Sequence, residues 1–433
     1  MRRLLSLALA AAALPALAQS PDLGARIDAA VAEVSSNVVE YRRHLHEHPE
    51  LSNRETETAA YVARHLADLG LEVRTGVART GVVGTLRGGR PGPTVALRAD
   101  MDALPVTEQV DLPFASTVRS TYNGLDVGVM HACGHDAHVG ILMGVAEVLA
   151  EMRADLPGTV VFLFQPAEEG APAGEAPAGA EQMVAENVLD GVDGVFGLHV
   201  TSMYEVGQLL TRPGGMMASA DDLRIVVHGK QTHGALPWGG VDPIATSALI
   251  VTGLQTIVSR QVDLTTSPAV VTIGRIDGGV RSNIVPDSVL MIGTIRSLDA
   301  GVRALLHARI RRTVEHIAAS QGATAEVTIA GEYGYPVTAN DPALLARMTP
   351  TLRAVAGDGF GAEVTPVLGA EDFSYFANEV PGLFLWLGIK TPGASDEAFP
   401  PNHSPLFRID EAALPLGVRA LAHLAVDFLE GEG

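Results

Sequence analysis

Residues 138–165 read HVGILMGVAEVLAEMRADLPGTVVFLFQ, a helix-like segment followed by a strand-like one. The first part, up to Met152, has the apolar spacing and the alanine content of a buried helix. The run from Thr159 to Gln165 is almost entirely apolar or β-branched, which is typical of a strand buried on both faces. This combination predicts an α/β protein in which helices cover a mostly parallel sheet.

The flanking segments extend this alternation, and one region departs from it. Besides the two elements above, the segments before residue 216 predict helices over 22–46 and 54–69 and strands over 81–87, 94–98 and 195–200. Between 216 and 330 the expected elements are 222–227, 243–262, 270–276, 288–296, 300–320 and 324–329. Their order is strand, helix, strand, strand, helix, strand, which is the ferredoxin-like motif. We therefore predict a main α/β domain built from 19–215 and 331–433, with 216–330 inserted as a separate domain.

The N-terminus has the composition of an export signal. Arg2 and Arg3 precede an apolar run over Leu4–Ala13, and Ala16-Leu17-Ala18 supplies small residues at a cleavage position. The alternative is a retained membrane anchor, but the apolar run is too short to span a bilayer comfortably. We therefore expect residues 1–18 to be removed and the mature protein to be periplasmic or secreted. No later segment is expected to reach the length of a transmembrane helix.

Charge and cysteine content limit the possible partners. The formal net charge of -20 argues against nucleic acid as a partner, because neutralising phosphates requires clustered Lys and Arg. Cys133 is the single cysteine of the sequence, so no intramolecular disulfide can form. An exported protein must protect such a thiol from oxidation, and either burial or metal coordination would do so.

The densest group of potential metal ligands is MHACGHDAH, residues 130–138. It places Cys133 and His135 in a short turn that leads into the predicted helix. Thiolate and imidazole are preferred ligands of borderline divalent metals, and a neighbouring carboxylate can fix an imidazole by hydrogen bonding. The alternative is a helix cap whose polar residues have no ligand role.

Three further segments offer donors. Glu168 and Glu169 directly follow the buried strand that ends at Gln165, where open α/β sheets place their sites. One carboxylate of such a pair can bind metal while the other takes a proton from water, although a Glu pair alone is usually solvated surface. His199 ends an apolar strand, and His403 lies in a proline-rich loop; each alone is weak evidence. Together, the candidate ligands for two divalent ions with a shared bridge are Cys133, His135, Glu169, His199 and His403.

Several motifs occur in a fixed order through nearly the whole mature chain. They are RRHLH with PELS (42–52), RADMDALP (98–105), the Cys133 turn, QPAEEG (165–170), GLH (197–199), SNIVP (282–286), EDF (371–373) and NHSP (402–405). In these motifs the sequence resembles the dinuclear metal amidohydrolase and carboxypeptidase family that includes aminoacylases. It is most similar to the branch with bacterial hippurate hydrolases and plant hydrolases of indole-acetyl amino acid conjugates.

The resemblance implies a role for each candidate. The five ligands would hold two divalent ions (zinc, manganese, cobalt or nickel), and Glu168 would be the general base. Asp100 stands where the wider family often has His, whereas Asp102 keeps the family's Asp. In this branch Cys133 would provide the bridge that other branches take from Asp. Asp102 is then expected to act in catalysis by supporting the ligands.

The inserted segment resembles the family's lid and dimerisation domain. His233 matches a histidine that commonly reaches the site from the partner subunit and stabilises the oxyanion, so the resemblance implies a homodimer. Thr232 and Trp238 depart from the residues usual in this branch, which bears on the substrate pocket. Asn283 and Arg296 are candidates for binding the substrate carboxylate, with a structural ion pair as the alternative for Arg296.

The predicted function is metal-dependent hydrolysis of the amide bond of N-acyl amino acids or related amides, by a water that two metals activate and with Glu168 as the general base. Two alternatives remain open. A dipeptidase or carboxypeptidase of the same fold would act on peptides with free amino termini. An exported metal- or ligand-binding protein would need Glu169 but not Glu168, so the intact pair counts against it.

Overall fold

The structure is a computed structural model that describes residues 23–172, 174–175, 177, 179–265 and 267–431. The predicted signal peptide, residues 1–18, lies outside them. The helices are α1 Leu23–Glu47, α2 Thr56–Asp68, α3 His135–Glu151, α4 Gly179–Ala185, α5 Pro243–Gln261, α6 Ala300–Ser320, α7 Pro342–Ala356, α8 Phe373–Glu379 and α9 Leu414–Glu430.

The strands follow the predicted positions closely where predictions were made. They are β1 Glu72–Val77, β2 Gly81–Arg87, β3 Arg90–Asp100, β4 Arg119–Tyr122, β5 Leu125–Gly128, β6 Pro157–Gln165, β7 Gly194–Glu205, β8 Leu209–Leu210, β9 Gly214–Met217, β10 Ser219–His228, β11 Thr232–His233, β12 Ala269–Gly278, β13 Ile284–Val285, β14 Ser288–Ser297, β15 Thr324–Tyr335, β16 Thr338–Asn340, β17 Phe360–Gly361 and β18 Gly382–Lys390.

The main sheet has eight strands in the order β1-β2-β6-β3-β7-β18-β8-β17. Its central neighbours, from β6 through β3 and β7 to β18, run parallel. α1, α3 and α9 pack over one face in a large hydrophobic core, and a second core containing α4 and α8 covers the other face. Burial on both faces explains why these strands are almost continuously apolar. The predicted α/β fold with a mostly parallel sheet is confirmed.

One later segment does have the length of a transmembrane helix, contrary to the expectation from sequence. Among the described residues, Glu411–Glu430 is long and apolar enough to cross a membrane, and 67% of its most apolar window is buried inside the protein. The helix α9 within this segment packs against α1, α3 and the main sheet. Its apolar character is therefore that of a core helix.

The inserted segment forms a second, four-stranded sheet in the order β12-β14-β10-β15, with every neighbouring pair antiparallel. α5 and α6 cover one face and share a separate hydrophobic core with the sheet. The predicted ferredoxin-like βαββαβ motif is therefore confirmed. β15 continues to Tyr335, past residue 330, so the domain limits given above stay a prediction.

Both helices of the insert start at an aspartate. Asp242 accepts hydrogen bonds from the backbone N–H groups of Ile244 and Ala245, and Pro243 occupies the first turn of α5. Asp299 caps α6 by accepting from the N–H group of Val302. These side chains satisfy N–H groups that have no partner inside the helix, which sets the start of each helix.

Candidate metal centre

Two of the predicted ligands, Glu169 and His199, are positioned by neighbouring strands of the main sheet. β3 ends at Asp100, β6 ends at Gln165, and β7 carries His199; the three strands are adjacent and parallel. Loops that follow the carboxyl ends of adjacent parallel strands meet at one edge of the sheet. The Glu168-Glu169 loop and His199 therefore lie beside each other, although 30 residues separate Glu169 from His199 in the sequence.

The turn before α3 brings Cys133 to the same edge. Gly134 precedes the first residue of the helix and has a φ of +93°. A Cβ atom built at this position would lie 2.3 Å from Cγ2 of Val200. Only glycine combines this backbone conformation with this close approach. The turn thus presents Cys133 and His135 to the end of the sheet.

The ligand atoms form two groups that share one sulfur atom. Sγ of Cys133 lies 3.3 Å from Nε2 of His199 and 3.3 Å from Nε2 of His403. Donor atoms of Cys133, His135 and His199 all lie within 4.8 Å of one another, and so do those of Cys133, Glu169 and His403. Two such groups joined by a thiolate match a dinuclear site with a bridging ligand.

Hydrogen bonds turn the histidines toward this centre. His135 donates from Nδ1 to the carbonyl oxygen of Asp102 (2.8 Å), and His199 donates from Nδ1 to that of Val200 (2.7 Å). In both rings Nε2 is left as the ligand atom, the arrangement usual for metal-binding histidines. His138 differs, because its Nδ1 bonds to Asp100 and its Nε2 accepts from the N–H group of Val200. His138 is therefore a structural residue.

The electrostatic environment also suits divalent cations. Nε2 of His135 is buried and has no hydrogen-bond partner within the described part of the chain. Burial and the neighbouring charges of Glu169 and Glu168 raise the pKa of the Cys133 thiol well above its ordinary value. Without a cation this thiol stays protonated, whereas bound metal stabilises the thiolate. The donor set and its charge therefore fit two divalent ions.

Asp102 contacts both the loop that carries Glu168 and the candidate ligand His135. Its carboxylate accepts hydrogen bonds from the backbone N–H groups of Glu168 (3.1 Å) and Glu169 (3.0 Å) and from the hydroxyl of Ser52 (2.7 Å). Its Oδ1 also lies 3.2 Å from Nδ1 of His135. The supporting role expected for Asp102 stays a prediction, and these contacts are its structural basis.

Glu168 lies in a strained and well-anchored loop. Ala167, just before it, has a φ of +52°, which is costly for a residue with a side chain. The N–H group of Ala167 donates to buried Glu55, and the hydroxyl of Tyr335 donates to the carbonyl oxygen of Glu168. Burial and the nearby charge of Glu371 raise the pKa of the Glu168 carboxyl, which makes it a stronger base.

A buried arginine below this loop was not among the predicted site residues. Arg98 donates to Gln165 (2.7 Å), and its Nη2 donates to both Glu371 (2.8 Å) and Asp372 (2.9 Å). Its Nη1 lies 2.9 Å from Asp100. Arg98 thus links the ends of β3 and β6 to a segment more than 270 residues away. The motifs around residues 98 and 371 were the available signal, but no local pattern connects them.

The metal centre opens into a cavity of about 760 Å³ between the main sheet and the insert. Its apolar wall includes Met203, Met217 and Trp386, and Arg296 of β14 lines it from the insert. Arg296 makes no hydrogen bond or ion pair within the described residues, and its role stays a prediction. His233 and Asn283 do not line the cavity of their own chain.

Comparison with known proteins shows the family to which this chain belongs. The profile of Peptidase family M20/M25/M40 matches residues 96–427. Thermostable carboxypeptidase 2 of Saccharolobus solfataricus is 43% identical over 94% of this chain and 99% of that protein. IAA-amino acid hydrolase ILR1-like 2 of Arabidopsis thaliana is 38% identical over 92% of this chain and 86% of that protein.

A solved structure supports the same family assignment. A dinuclear metal-binding peptidase of the M20 family from Bacillus subtilis superposes with a TM-score of 0.76 at 36% identity, over 92% of this chain and 99% of that one. The resemblance inferred from the motifs is thereby confirmed, and the alternative of a binding protein without catalysis is not supported. This chain belongs to Peptidase family M20/M25/M40 and is a metal-dependent amidohydrolase with a dinuclear divalent-metal site.

Proposed function

We propose that this protein cleaves the amide bond of N-acyl amino acids, with metal ligands Cys133, His135, Glu169, His199 and His403. The observation that carries the proposal is the pair of ligand groups sharing Cys133. They lie beside the buried Glu168, in a cavity that Arg296 also lines. Together these features provide a centre for hydrolysis and a group that can bind a carboxylate.

The chain's own residues account for the proton transfers. The two ions supply Lewis acidity and lower the pKa of water when bound. Glu168 accepts a proton from the attacking water at its carboxylate and returns it to the nitrogen of the leaving amine. Asp102 accepts a hydrogen bond from the backbone N–H group of Glu168 and so holds this residue in place. The Glu168 carboxylate therefore does not have to be ordered during the reaction.

Arg296 provides the specificity for an amino acid product. A guanidinium group can bind a carboxylate through two parallel hydrogen bonds. Because Arg296 is on the insert and the ligands are on the main sheet, a substrate held by Arg296 has its amide between the two. The apolar wall formed by Met203, Met217 and Trp386 then accommodates the acyl group.

The proposed active form is a homodimer in which His233 acts on the partner's substrate. His233 is exposed and its Nδ1 accepts from the N–H group of Ala235, which leaves Nε2 directed away from that turn. Nearby apolar residues are strongly exposed, with Trp238 at 81% and Val280 at 95%. β12 is an edge strand of the insert's sheet within the described residues. Exposed apolar residues beside a sheet edge are suited to pairing with a second copy. The carbonyl oxygen of Asn283 accepts a hydrogen bond from the N–H group of Gly234, so in the proposed dimer Asn283 would lie at the partner's site together with His233.

The protein is further proposed to work in the periplasm or outside the cell, because residues 1–18 have the composition of an export signal. Fractionation of cells that express the full chain, with N-terminal sequencing of the product, tests this. An intact N-terminus in the cytosolic fraction would contradict it.

The substrate proposal is tested with metal-loaded protein that lacks residues 1–18. Amine release is measured from hippurate, N-acetyl amino acids, indole-acetyl amino acids and dipeptides, with and without a chelator. Chelator-sensitive release from an N-acyl amino acid supports the proposal. Cleavage of dipeptides alone would favour the peptidase alternative, for which the similarity to a carboxypeptidase is the supporting observation.

A further inference from the structure

One side chain of the insert's sheet, Tyr335, contacts the loop that carries Glu168. Tyr335 is the last residue of β15, and in the β10–β15 pairing it lies opposite Ala220. The chain enters the insert through β10 and leaves it through β15. Residues 220–221 and 334–335, paired in this way, are called the root of the insert below.

The contact is a hydrogen bond to the main chain. The hydroxyl of Tyr335 donates to the carbonyl oxygen of Glu168 (2.8 Å). The same peptide group contains the N–H of Glu169, which donates to Asp102 (3.0 Å). A peptide group is planar, so hydrogen bonds to its carbonyl oxygen and to its N–H group together restrain rotation of the whole plane. Tyr335 and Asp102 thus hold the peptide after Glu168 from two sides.

The preceding peptide group is held as well, because the N–H group of Glu168 donates to Asp102 (3.1 Å). The orientations of the two peptide planes around a Cα atom determine its φ and ψ angles, and with them the direction of the Cα–Cβ bond. The three hydrogen bonds therefore orient the side chain of Glu168 through its backbone. An ionised carboxylate only accepts hydrogen bonds, so Asp102 can hold the N–H groups but not the carbonyl oxygen. Tyr335 supplies the donor that this oxygen requires.

The burial of Glu168 makes this hydrogen bond important. Glu168 is 6% exposed, so its carbonyl oxygen has few alternative partners. A buried carbonyl oxygen without a hydrogen bond is costly. If Tyr335 lost its hydroxyl, rotation of the peptide plane toward another donor would reduce that cost. The rotation would also turn the Cα–Cβ bond of Glu168 away from its present direction.

We infer that Tyr335 is a positioning residue, which orients the general base Glu168 from the root of the insert. The inference rests on the proposed function, in which Glu168 takes a proton from the attacking water. It adds that the insert takes part in the proton transfer, besides its proposed role in binding the substrate. Tyr335 also lines the cavity, so direct contact with the substrate is the alternative that the experiment has to separate.

Tyr375 provides a matched control. Its hydroxyl donates to the carbonyl oxygen of Gly334 (2.9 Å), which is also in the root of the insert, and lies 3.4 Å from a carboxylate oxygen of Glu181. The rings of Tyr335 and Tyr375 are in edge contact, with centroids 6.3 Å apart. Replacing either tyrosine by phenylalanine keeps the ring and removes a hydrogen bond at this root. Of the two changes, the one at Tyr335 removes a hydrogen bond from Glu168.

The first measurement is steady-state hydrolysis by metal-saturated wild type, Tyr335→Phe and Tyr375→Phe. The substrate is the N-acyl amino acid that the wild type cleaves fastest in the panel described above, and metal content is measured on each sample. Tyr335→Phe is expected to lower kcat about tenfold, which corresponds to the loss of one hydrogen bond, and to leave KM nearly unchanged. Tyr375→Phe is expected to leave kcat nearly unchanged. Equal kcat values for the two variants, or a higher KM with an unchanged kcat in Tyr335→Phe, would overturn the inference.

A double variant tests whether Tyr335 acts through Glu168. When one residue acts only through another, its substitution has no further effect once the other is gone. Tyr335→Phe is therefore expected to leave the residual kcat of Glu168→Ala unchanged, although it lowers kcat about tenfold when Glu168 is present. A loss of the same size in both backgrounds would show that the hydroxyl contacts the substrate or supports the fold in general, which contradicts the inference.

Amide hydrogen exchange keeps the result independent of turnover. Exchange of the segment 163–170 is followed by mass spectrometry in the metal-loaded wild type, Tyr335→Phe and Tyr375→Phe. Because the N–H groups of Glu168 and Glu169 are hydrogen-bonded, faster exchange reports opening of this loop. Faster exchange than in the wild type is expected in Tyr335→Phe and not in Tyr375→Phe.

The two kinds of measurement separate failure of the inference from failure of the proposed function. If the wild type cleaves no member of the panel, the proposed function fails. Hydrogen exchange then decides separately whether Tyr335 holds the loop that carries Glu168. Faster exchange confined to Tyr335→Phe supports this, and equal exchange in Tyr335→Phe and Tyr375→Phe overturns it.

Discussion

The two walls of the cavity differ in how completely one chain builds them. On the side of the main sheet, ligands such as His135 and His199 are buried, and hydrogen bonds fix their rings. On the side of the insert, strand alternation places Arg296 and Asp222 on the face that lines the cavity, and His233 does not line the cavity of its own chain. The candidate ligands are therefore preorganised within a single chain, whereas the proposed recognition of the substrate involves accessible side chains of the insert and, for His233, a second chain.

The difference has a physical cause. Buried charges are tolerated only when other groups compensate them. The wall on the side of the main sheet, which carries the candidate ligands and is called the metal wall below, therefore requires a dense and rigid network of hydrogen bonds and ion pairs. Side chains that recognise a substrate must remain accessible to it and therefore cannot be fixed by such a network. Substitutions should accordingly impair proton transfer or metal binding on the side of the main sheet, and substrate recognition or the completion of the site by a second chain on the side of the insert.

The largest effect is expected for Glu168→Ala. Loss of the general base should lower kcat by roughly 10²–10⁴-fold, because proton transfer by a positioned side chain contributes that much. The ligands remain, so the protein should still bind two divalent ions. Steady-state kinetics and inductively coupled plasma mass spectrometry measure the two quantities on the same sample. Wild-type turnover in this variant would rule out Glu168 as the base.

His233→Ala tests whether the insert's wall is completed in trans. Removing an oxyanion donor should lower kcat by about 10²–10³-fold. The two inactive variants Glu168→Ala and His233→Ala, co-expressed with different tags and purified as mixed dimers, should regain activity. Such a dimer has one site with both residues intact.

Each variant purified alone is the control for this complementation. Absence of recovery in verified mixed dimers would show that His233 does not act across subunits. A strictly monomeric wild type in analytical ultracentrifugation would contradict the dimer itself.

Asp102→Asn should have a smaller effect on the metal wall, about 10–100-fold in metal affinity or kcat, the range for residues that orient ligands. The amide has one acceptor oxygen, so donors now bound by the carboxylate lose a partner. Ser52→Ala removes one of these hydrogen bonds and should change the same quantities less. Metal titration and kinetics of the two variants measure the order, and a larger effect of Ser52→Ala would contradict it.

The smallest effect concerns the stability of the insert. Buried Asp221 accepts hydrogen bonds from Arg303 (2.9 Å) and His307 (2.9 Å). Burial raises the pKa of the Asp221 carboxyl, but these two partners outweigh burial and lower it overall. Asp221→Asn should reduce the free energy of unfolding by about 2 kcal/mol at neutral pH, a typical value for hydrogen bonds to a charged group.

The lowered pKa of Asp221 determines how the difference in stability between wild type and variant changes with pH. Because the pKa of Asp221 is lower in the folded state, its contribution is complete above the ordinary pKa of aspartate. It is lost as the pH falls through the lowered folded-state value. Urea unfolding of wild type and variant should therefore show a difference in stability that shrinks as the solution is acidified. A difference that grows with acid would contradict the assignment.

The metal wall was largely predictable, because its residues occur in short motifs with characteristic chemistry. Cys133 and His135 are two residues apart, and Glu168 and Glu169 directly follow an apolar strand. The order of elements in the insert was also readable from periodicity, and the structure has that motif. The roles of individual ligands stay predictions, which the substitutions above are designed to test.

Contacts between distant residues were not predictable. The sequence did not distinguish His138 from a ligand, because its status depends on Asp100 and on the backbone of Val200, 62 residues away. The contact between Arg98 and Asp372 joins residues 274 positions apart. Strand alternation was visible around Asp222, but not which face of the strand would meet the cavity.

Amino acid order alone thus determined the α/β class, the ferredoxin-like insert and the set of residues able to bind metal. Those properties depend on local periodicity and on the chemistry of individual side chains. Tertiary structure decided which imidazole nitrogen faces the centre, that Arg98 joins separate segments, and that Asp222 lies beside Arg296 in the cavity. These depend on strand order and register, which bring together residues that no local pattern relates.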